Sequence, residues 1–468
     1  MPVVLSTRAV APMLPGVAGS TSTTRMLSRG FMRLAKLNQE RPCAPMHTAG
    51  EFTCVQFADG VYLHLHSIGL YKTIRVDVCL STPLCVPRHS LVALSSRLLA
   101  RGTHKLPNIQ SLNRFIDNLY GAHYSVQVDR LGEHQVIHLC LEVIDENFLG
   151  EKEILERGLT FLRDVLRDGS GFQRSHLERE KHRLERQIAD GFNDNLGYAQ
   201  RRCSEEMCRG EPMGLSPLGN PADFAAVQAD ELRAFHRERT ATDRLDLFVS
   251  GDLCLEQIQP LMESLFTWDR AMNQPQLQPL RPRIIGPQRE IFECQAVREA
   301  KVVLGYRTQV AYGADGTDDY PALALLNLML GGDGPSRLFK HLREEEGLCY
   351  YIASHIEALS GLLFVVAGIE AATYPKVRDK VEQELQTLRA GAFEYREIEA
   401  ARRLLRARLL GLAEDREGFF RYQLREGLIG GSQSPETLWK RIEQVGVEDL
   451  TRVAGGIVAD TAFLLHGT

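Results

Sequence analysis

The sequence predicts an α+β chain made of two homologous domains, each a mostly antiparallel sheet with its helices packed on one face. Three observations predict it. Strands with period-two alternation and helix-length apolar repeats follow one another beyond residue 50. The same order of elements then recurs after residue 300, and a proline-bearing segment without apolar periodicity separates the two runs.

In the first half, Val61–His66 and Thr73–Leu80 alternate apolar and polar residues, as half-buried strands do. A helix-like run over Ser90–Ala100 closes at Gly102, and a shorter one over Ile109–Tyr120 closes at Gly121. A strand follows at His134–Val143, then helices over Glu151–Arg167 and Ser175–Ala189 and a further helical stretch over Tyr198–Gly210. The second of these carries opposite charges at i,i+4, which support a solvated face. In the second half, Lys301–Tyr306 is a strand, Tyr320–Leu330 a helix stopped by Gly331 and Gly332, and Ser336–Glu346 a short helix ending at Gly347. A strand at Gly361–Glu370 and helices over Tyr374–Arg389 and Tyr395–Leu412 complete the repeat.

Aligned residue by residue, the halves keep a slowly drifting offset. Gly102 pairs with Gly332 at 230, Gly121 and Tyr124 pair with Gly347 and Tyr350 at 226, and Phe172 and Leu184 pair with Phe393 and Leu405 at 221. Small indels in a tandem duplication leave this pattern. The expected organisation is an extension over 1–49, a first domain over 50–270, a linker over 271–284 and a second domain over 285–468. The linker holds Pro275, Pro279 and Pro282, which suits an extended segment.

Composition narrows the function. The chain has 468 residues, 44% apolar and 25% charged, with a formal net charge of −5. Such a balance excludes collagen-like and disordered classes. No Lys/Arg excess points to nucleic acid, and the longest apolar stretch, Ala322–Leu330, is too short to span a bilayer. The ten cysteines are scattered without a C-x-x-C pair, so we expect reduced thiols and a cytoplasmic location. The first 39 residues are basic, rich in Ser and Thr and free of acidic side chains. Two readings stay open: a transit peptide, which would place the protein in an organelle matrix, or a flexible tail.

The most informative segment is Gly331-Gly-Asp-Gly-Pro-Ser-Arg-Leu-Phe-Lys-His-Leu-Arg-Glu-Glu-Glu-Gly-Leu-Cys-Tyr350. Read on its own, a glycine pair before a helix suggests an anion cradle, but Pro335-Ser336-Arg337 replaces the Gly-Lys-Ser/Thr of a phosphate loop. The segment resembles the G-G-x-x-x-S-R-L-F-x-x-[IVL]-R-E-x-x-G-L-x-Y block of the M16 (insulinase/pitrilysin-like) metallopeptidases. Leu247-Phe-Val-Ser-Gly-Asp-Leu253 resembles that family's V-x-G-D-[IVL], which extends the likeness over about 400 residues. The resemblance implies two M16-type (LuxS/metallohydrolase-like) domains. It also implies that Arg343 and Tyr350 form a pair donating to a substrate carbonyl, a role that suits a guanidinium and a phenol. The bland reading sets Arg343 in a surface ion pair and Tyr350 in core packing.

Active members bind zinc through H-x-x-E-H before a Gly-Thr turn, with a distant glutamate as third ligand. Counting back from Gly102-Thr103, the motif's three functional positions hold Ala93, Ser96 and Arg97, and the third-ligand position falls on Gln187, seven after Glu180. This set is not one that coordinates a divalent cation, so the resemblance is to the inactive bacterial homologues. Other histidines offer little: His182 and Glu185 lack a second histidine, His134 and His138 lie about 13 Å apart on one strand at roughly 3.3 Å per residue, and no Glu or Cys is evident beside His64 and His66.

The resemblance therefore implies a subunit inactive alone and without a cofactor of its own. It would enclose and clamp an unfolded peptide for a zinc-bearing M16 paralogue, as a heterodimer, with a homodimer as the other arrangement. The alternatives are a structural or scaffolding protein and a stand-alone peptide binder that adds strands to a sheet edge.

Overall fold

The computed structural model describes residues 51–468 apart from 151, 169–171, 192–193, 269, 271–285, 314–318, 333, 335, 432 and 468. The extension over 1–49 and the linker over 271–284 lie outside the described residues.

The chain forms two sheets. Strands β1 (Glu51–Ala58), β2 (Val61–Ser67), β3 (Thr73–Pro83), β4 (His123–Leu131), β5 (His134–Ile144) and β6 (Arg244–Gly251) make the first, in the order β1-β2-β6-β3-β5-β4. Strands β7 (Arg289–Cys294), β8 (Ala300–Arg307), β9 (Cys349–Glu357), β10 (Leu362–Ile369) and β11 (Val458–His466) make the second, in the order β7-β11-β8-β10-β9. Removing β1 leaves the two orders equivalent. Even the single parallel pairing recurs, β2 with β6 and β7 with β11, while every other pair is antiparallel. This match of topology is the duplication seen in three dimensions.

The helices are α1 (Arg88–Leu99), α2 (Ile109–Asp117), α3 (Ile154–Asp168), α4 (Arg174–Asp190), α5 (Asn195–Met207), α6 (Pro221–Phe224), α7 (Ala229–Thr242) and α8 (Leu255–Phe266) in the first half. The second half has α9 (Tyr320–Asn327), α10 (Tyr374–Arg389), α11 (Tyr395–Gly411), α12 (Arg416–Leu428), α13 (Pro435–Gln444) and α14 (Val447–Gly455). The run after α9 is wound as a π-helix over Leu328–Gly332, and a second π segment spans Phe339–Glu345. On one face of the first sheet Leu63, Val76 and Leu139 pack against Leu94 and Leu98 of α1 and Leu162 of α3. On one face of the second, Val302, Leu304 and Val365 pack against Leu323, Val377 and Leu385.

The opposite faces are covered by exchange. Helix α5 of the first half lays Tyr198, Cys203 and Met207 on Val303, Phe364 and Phe463 of the second sheet. Helix α12 of the second half lays Phe420, Leu424 and Leu428 on Cys79, Val136 and Phe248 of the first. The two helices begin 221 residues apart, the same offset that relates Phe172 to Phe393. Each sheet thus has its own helices on one face and one helix of the other half behind it.

That exchange changes the meaning of the strand alternation. The polar residues of β2 and β3 read as a solvated face, yet His64, His66 and Asp77 are all nearly inaccessible. They lie under α12, where Phe419 stacks on His66 at 4.2 Å and Phe420 on His138 at 4.7 Å. The two aspartates of this face are paired internally. His138 Nε2 lies 2.7 Å from Asp77, His64 Nε2 lies 2.8 Å from Asp246, and Arg75 and Arg244 each grip the same aspartates from two residues away. Burial alone would raise both carboxyl pKa values. The imidazoles and guanidiniums outweigh it and hold Asp77 low and Asp246 at about 2. Arg416 of α12 reaches across to Thr73 and Glu142, and Arg75 reaches back to Glu417 at 2.5 Å.

Two outcomes follow, one from this interface and one from imidazoles buried in the first half as a whole. Phe420→Ala leaves a hole between α12 and the first sheet and should cost about 3–5 kcal/mol; a urea denaturation series checks it, and a loss below about 1 kcal/mol contradicts the packing role. Burial holds His66, His134 and His236 at about 4 in the folded chain, against about 6.5 when unfolded. The unfolded chain then binds these protons first, so stability is lost as pH falls from about 6.5 toward 4. Asp246 raises His64 against the effect of burial, so that one imidazole acts in the opposite sense to the three. A urea midpoint that stays level between pH 7 and 4.5 contradicts this balance.

Candidate functional site

The residues at the zinc-motif positions occupy α1. Ala93 is fully buried in the first core and Ser96 turns its hydroxyl back onto the Ala93 carbonyl at 2.8 Å. Arg97 is half-buried and points toward a charged group on α4: Glu180, only 2% exposed, is bound by Arg101 at 2.6 Å and Arg183 at 2.9 Å. Burial lowers the pKa of Arg97, Glu180 raises it, and the like charges of Arg101 and Arg183 lower it further. Three guanidiniums thus gather about one carboxylate. Gln187 lies two turns further along α4 and is exposed, so the carboxylate that meets the α1 face is Glu180 and not the residue at the third-ligand position.

This set does not fit zinc. It offers a methyl group, a hydroxyl already bonded to its own helix, and cations that repel a metal ion. Among the described residues no group of three or more His, Cys, Asp or Glu side chains is placed to hold a metal ion. The turn that follows is intact. Gly102 has φ +127°, a region that side chains rarely adopt, and an added Cβ would strike the Leu106 carbonyl oxygen.

The glycine-led segment of the second half sorts into structural and exposed residues. A Cβ at Gly331 would meet the backbone nitrogen of Ser354, so the glycine lets the π segment press against β9. Arg337 is buried and makes a forked bond to Glu397 at 3.0 and 2.7 Å, with a further bond to the Ala392 carbonyl. Leu338 and Leu342 are fully buried, His341 binds Glu384 at 2.7 Å, and Glu346 pairs with Lys380. Gly347 takes φ +60° to end the segment and start β9.

Arg343 and Tyr350 are the exceptions. Arg343 is exposed, its guanidinium lying over the Phe339 ring at 4.8 Å. Tyr350 is 61% exposed at the start of β9, which is the edge strand of the second sheet. The bland reading of Tyr350 as a core residue therefore fails. Both donors stand on backbone fixed by buried neighbours, with their polar ends turned to solvent.

Sequence reasoning left out one constellation. His64 was read as having no Glu or Cys beside it, yet Cys54 faces it directly across the β1–β2 ladder, and Asp246, which that reading did not consider, binds it from β6. Asp246 lies 182 residues from His64 and 192 from Cys54 in the chain, which gives no local signal, and only the strand order β1-β2-β6 brings the three together. Among the described residues no helix is long and apolar enough to cross a membrane.

Comparison with known proteins finds likenesses of M16 type. The family described as "Peptidase M16 inactive domain" matches residues 226–405. The "Probable inactive metalloprotease YmfF" of Bacillus subtilis (strain 168) is 29% identical over 416 residues, covering 87% of this chain and 96% of the relative. A conserved protein from Enterococcus faecalis V583 superposes with a TM-score of 0.77 at 25% identity, covering 89% of this chain and 99% of that one. A peptidase M16 inactive domain from Pseudomonas fluorescens shares the fold, with a TM-score of 0.73 at 14% identity over 89% of this chain and 98% of its own. These matches bear out the resemblance to M16 metallopeptidases, and within them to inactive members.

The zinc reading carries its own check. The purified chain, incubated with excess zinc and dialysed, should retain well under about 0.1 equivalent by inductively coupled plasma mass spectrometry; retention near one equivalent contradicts the account of α1 and α4.

Proposed function

We propose that this M16-like chain, a non-catalytic homologue, is one subunit of a two-chain metallopeptidase and encloses and clamps peptide for a zinc-bearing partner. The observation that carries the reading is the contrast between its two halves. On α1 the zinc positions hold Ala93, Ser96 and Arg97, with an arginine–glutamate cluster alongside. In the second half, Arg337, Leu338 and Leu342 are buried, while Arg343 and Tyr350 remain outside the packing. A relic kept for its fold alone has no need of two exposed donors on a buried frame.

The chemistry of the proposal is donation. A peptide carbonyl held by a guanidinium and a phenol is polarised, and the same donors stabilise the oxyanion that forms when water adds. Water activation belongs to the zinc of the partner. We assign the chain to the cytoplasm: its nine described cysteines form no disulfide, which suits a reducing compartment. The exposed edge β9, next to Tyr350, supports a second reading in which the chain alone binds an extended peptide as an added strand.

Fluorogenic peptide hydrolysis separates these readings. We expect no hydrolysis by the chain alone, hydrolysis by its mixture with an H-x-x-E-H homologue, and a loss of 10-fold or more in that mixture for Arg343→Ala or Tyr350→Phe. Full activity of the mixture with both variants contradicts the clamp. Chelator-sensitive cleavage by the single chain contradicts the subunit assignment.

A further inference from the structure

A cavity of about 720 Å³ lies between the halves, on the side of the first sheet away from its own helices. One wall is β1, β2 and β6; the other is α11, α12 and α13, with Leu409, Leu410, Phe419 and Trp439 supplying apolar surface. Its size falls within the range of small-ligand pockets. Cys54 and His64 both line it.

The three side chains are arranged in series. Asp246 is fully buried and gripped by Arg244 through two bonds of 2.8 Å. Its Oδ1 lies 2.8 Å from Nε2 of His64, which places the ring proton on Nε2 and leaves Nδ1 as an acceptor. His64 is 4% exposed, stacks on Phe248 at 4.2 Å, and its Nδ1 has no hydrogen-bond partner. Cys54 faces the same ring from β1, exposed to the cavity and near enough to influence the protonation of both His64 and Arg244. An exposed thiol among a guanidinium and an oriented imidazole is the environment of a reactive cysteine. A metal does not suit the same atoms, because both Asp246 oxygens are already bound to Arg244.

We propose that Cys54 is a nucleophilic thiol, with His64 as its base and Asp246 as the group that positions His64, and that it accepts an acyl group from an acyl thioester whose apolar chain lies in the cavity. His64 Nδ1 takes the Cys54 proton, Sγ forms a bond to the carbonyl carbon, and the bond from that carbon to the donor sulfur breaks. The departing thiolate takes the proton from His64. The exchange is redox-neutral and needs no other reactant. It uses neither Arg343 nor Tyr350, so it stands apart from the clamp.

Peptide mapping by mass spectrometry of the full chain tests it in two arms. With iodoacetamide at pH 7, Cys54 should alkylate at least 10-fold faster than the exposed thiols of Cys254 and Cys294, and His64→Gln should bring it down to their rate. With the octanoyl and acetyl thioesters of N-acetylcysteamine, Cys54 should acylate faster with octanoyl, and Cys54→Ser should remove the adduct. Alkylation of Cys54 at the rate of the other exposed thiols overturns the proposal. So does fast alkylation without acylation by either thioester, and so does equal acylation by both, which removes the chain-binding role of the cavity. Unchanged far-UV circular dichroism of His64→Gln keeps its arm interpretable.

Discussion

The buried polar layer between the first sheet and helix α12 is the constraint on which the rest of the molecule depends. A sheet face carrying His64, His66, Asp77, His138 and Asp246 cannot be buried cheaply, because each unpaired polar group costs roughly 1–3 kcal/mol. Here each aspartate meets one imidazole and one guanidinium, and Phe419 and Phe420 close the layer by stacking on the rings. Pairing both buried carboxylates in this way is what lets the layer be dry. It therefore fixes how the halves dock, and with that the cavity beside it and the side from which α12 enters. The second sheet solves the same problem with more apolar means, through Cys203, Met207, Phe364 and Phe463, and with Arg307 joining Glu211 to Asp460 at its rim.

The first half holds together without a metal site at α1. Ala93 adds to the core, and the Gly102 turn keeps its left-handed conformation. Arg97, Arg101 and Arg183 make this face positive, and Arg101, just past the end of α1, is tied to α4 through Glu180. A face with this charge repels a cation. In the second half the packing residues of the glycine-led segment and its two exposed donors are both present, and only the former are explained by stability.

Much of this fold was legible from residue order. Thr73, Tyr374 and Tyr395 begin elements where the sequence placed them, because apolar periodicity and glycine stops are local signals. Strands β1, β4, β6, β7, β9 and β11 were not assigned as strands, although the Leu247–Leu253 motif fell on β6. Strand β9 hid behind the preceding helix signal, whereas β10, buried on both faces and without alternation, was still read as a strand from its apolar run between Gly361 and Glu370. The solvated reading of β2 and β3 failed for a different reason. Period two reports that one face is polar, and only the exchanged helix decides that this face is dry. The absence of the zinc set was readable position by position, whereas Glu180 in place of Gln187 depends on helix packing. The Cys54–His64–Asp246 series needed the strand order itself.

The central claim is that this chain acts with a zinc-bearing counterpart and not by itself. Sedimentation velocity of the full chain with an H-x-x-E-H homologue from the same organism tests it most directly. The account predicts a 1:1 complex at micromolar concentration that neither chain replaces by pairing with itself. Two species that sediment independently across that range, each with the mass it has alone, contradict it.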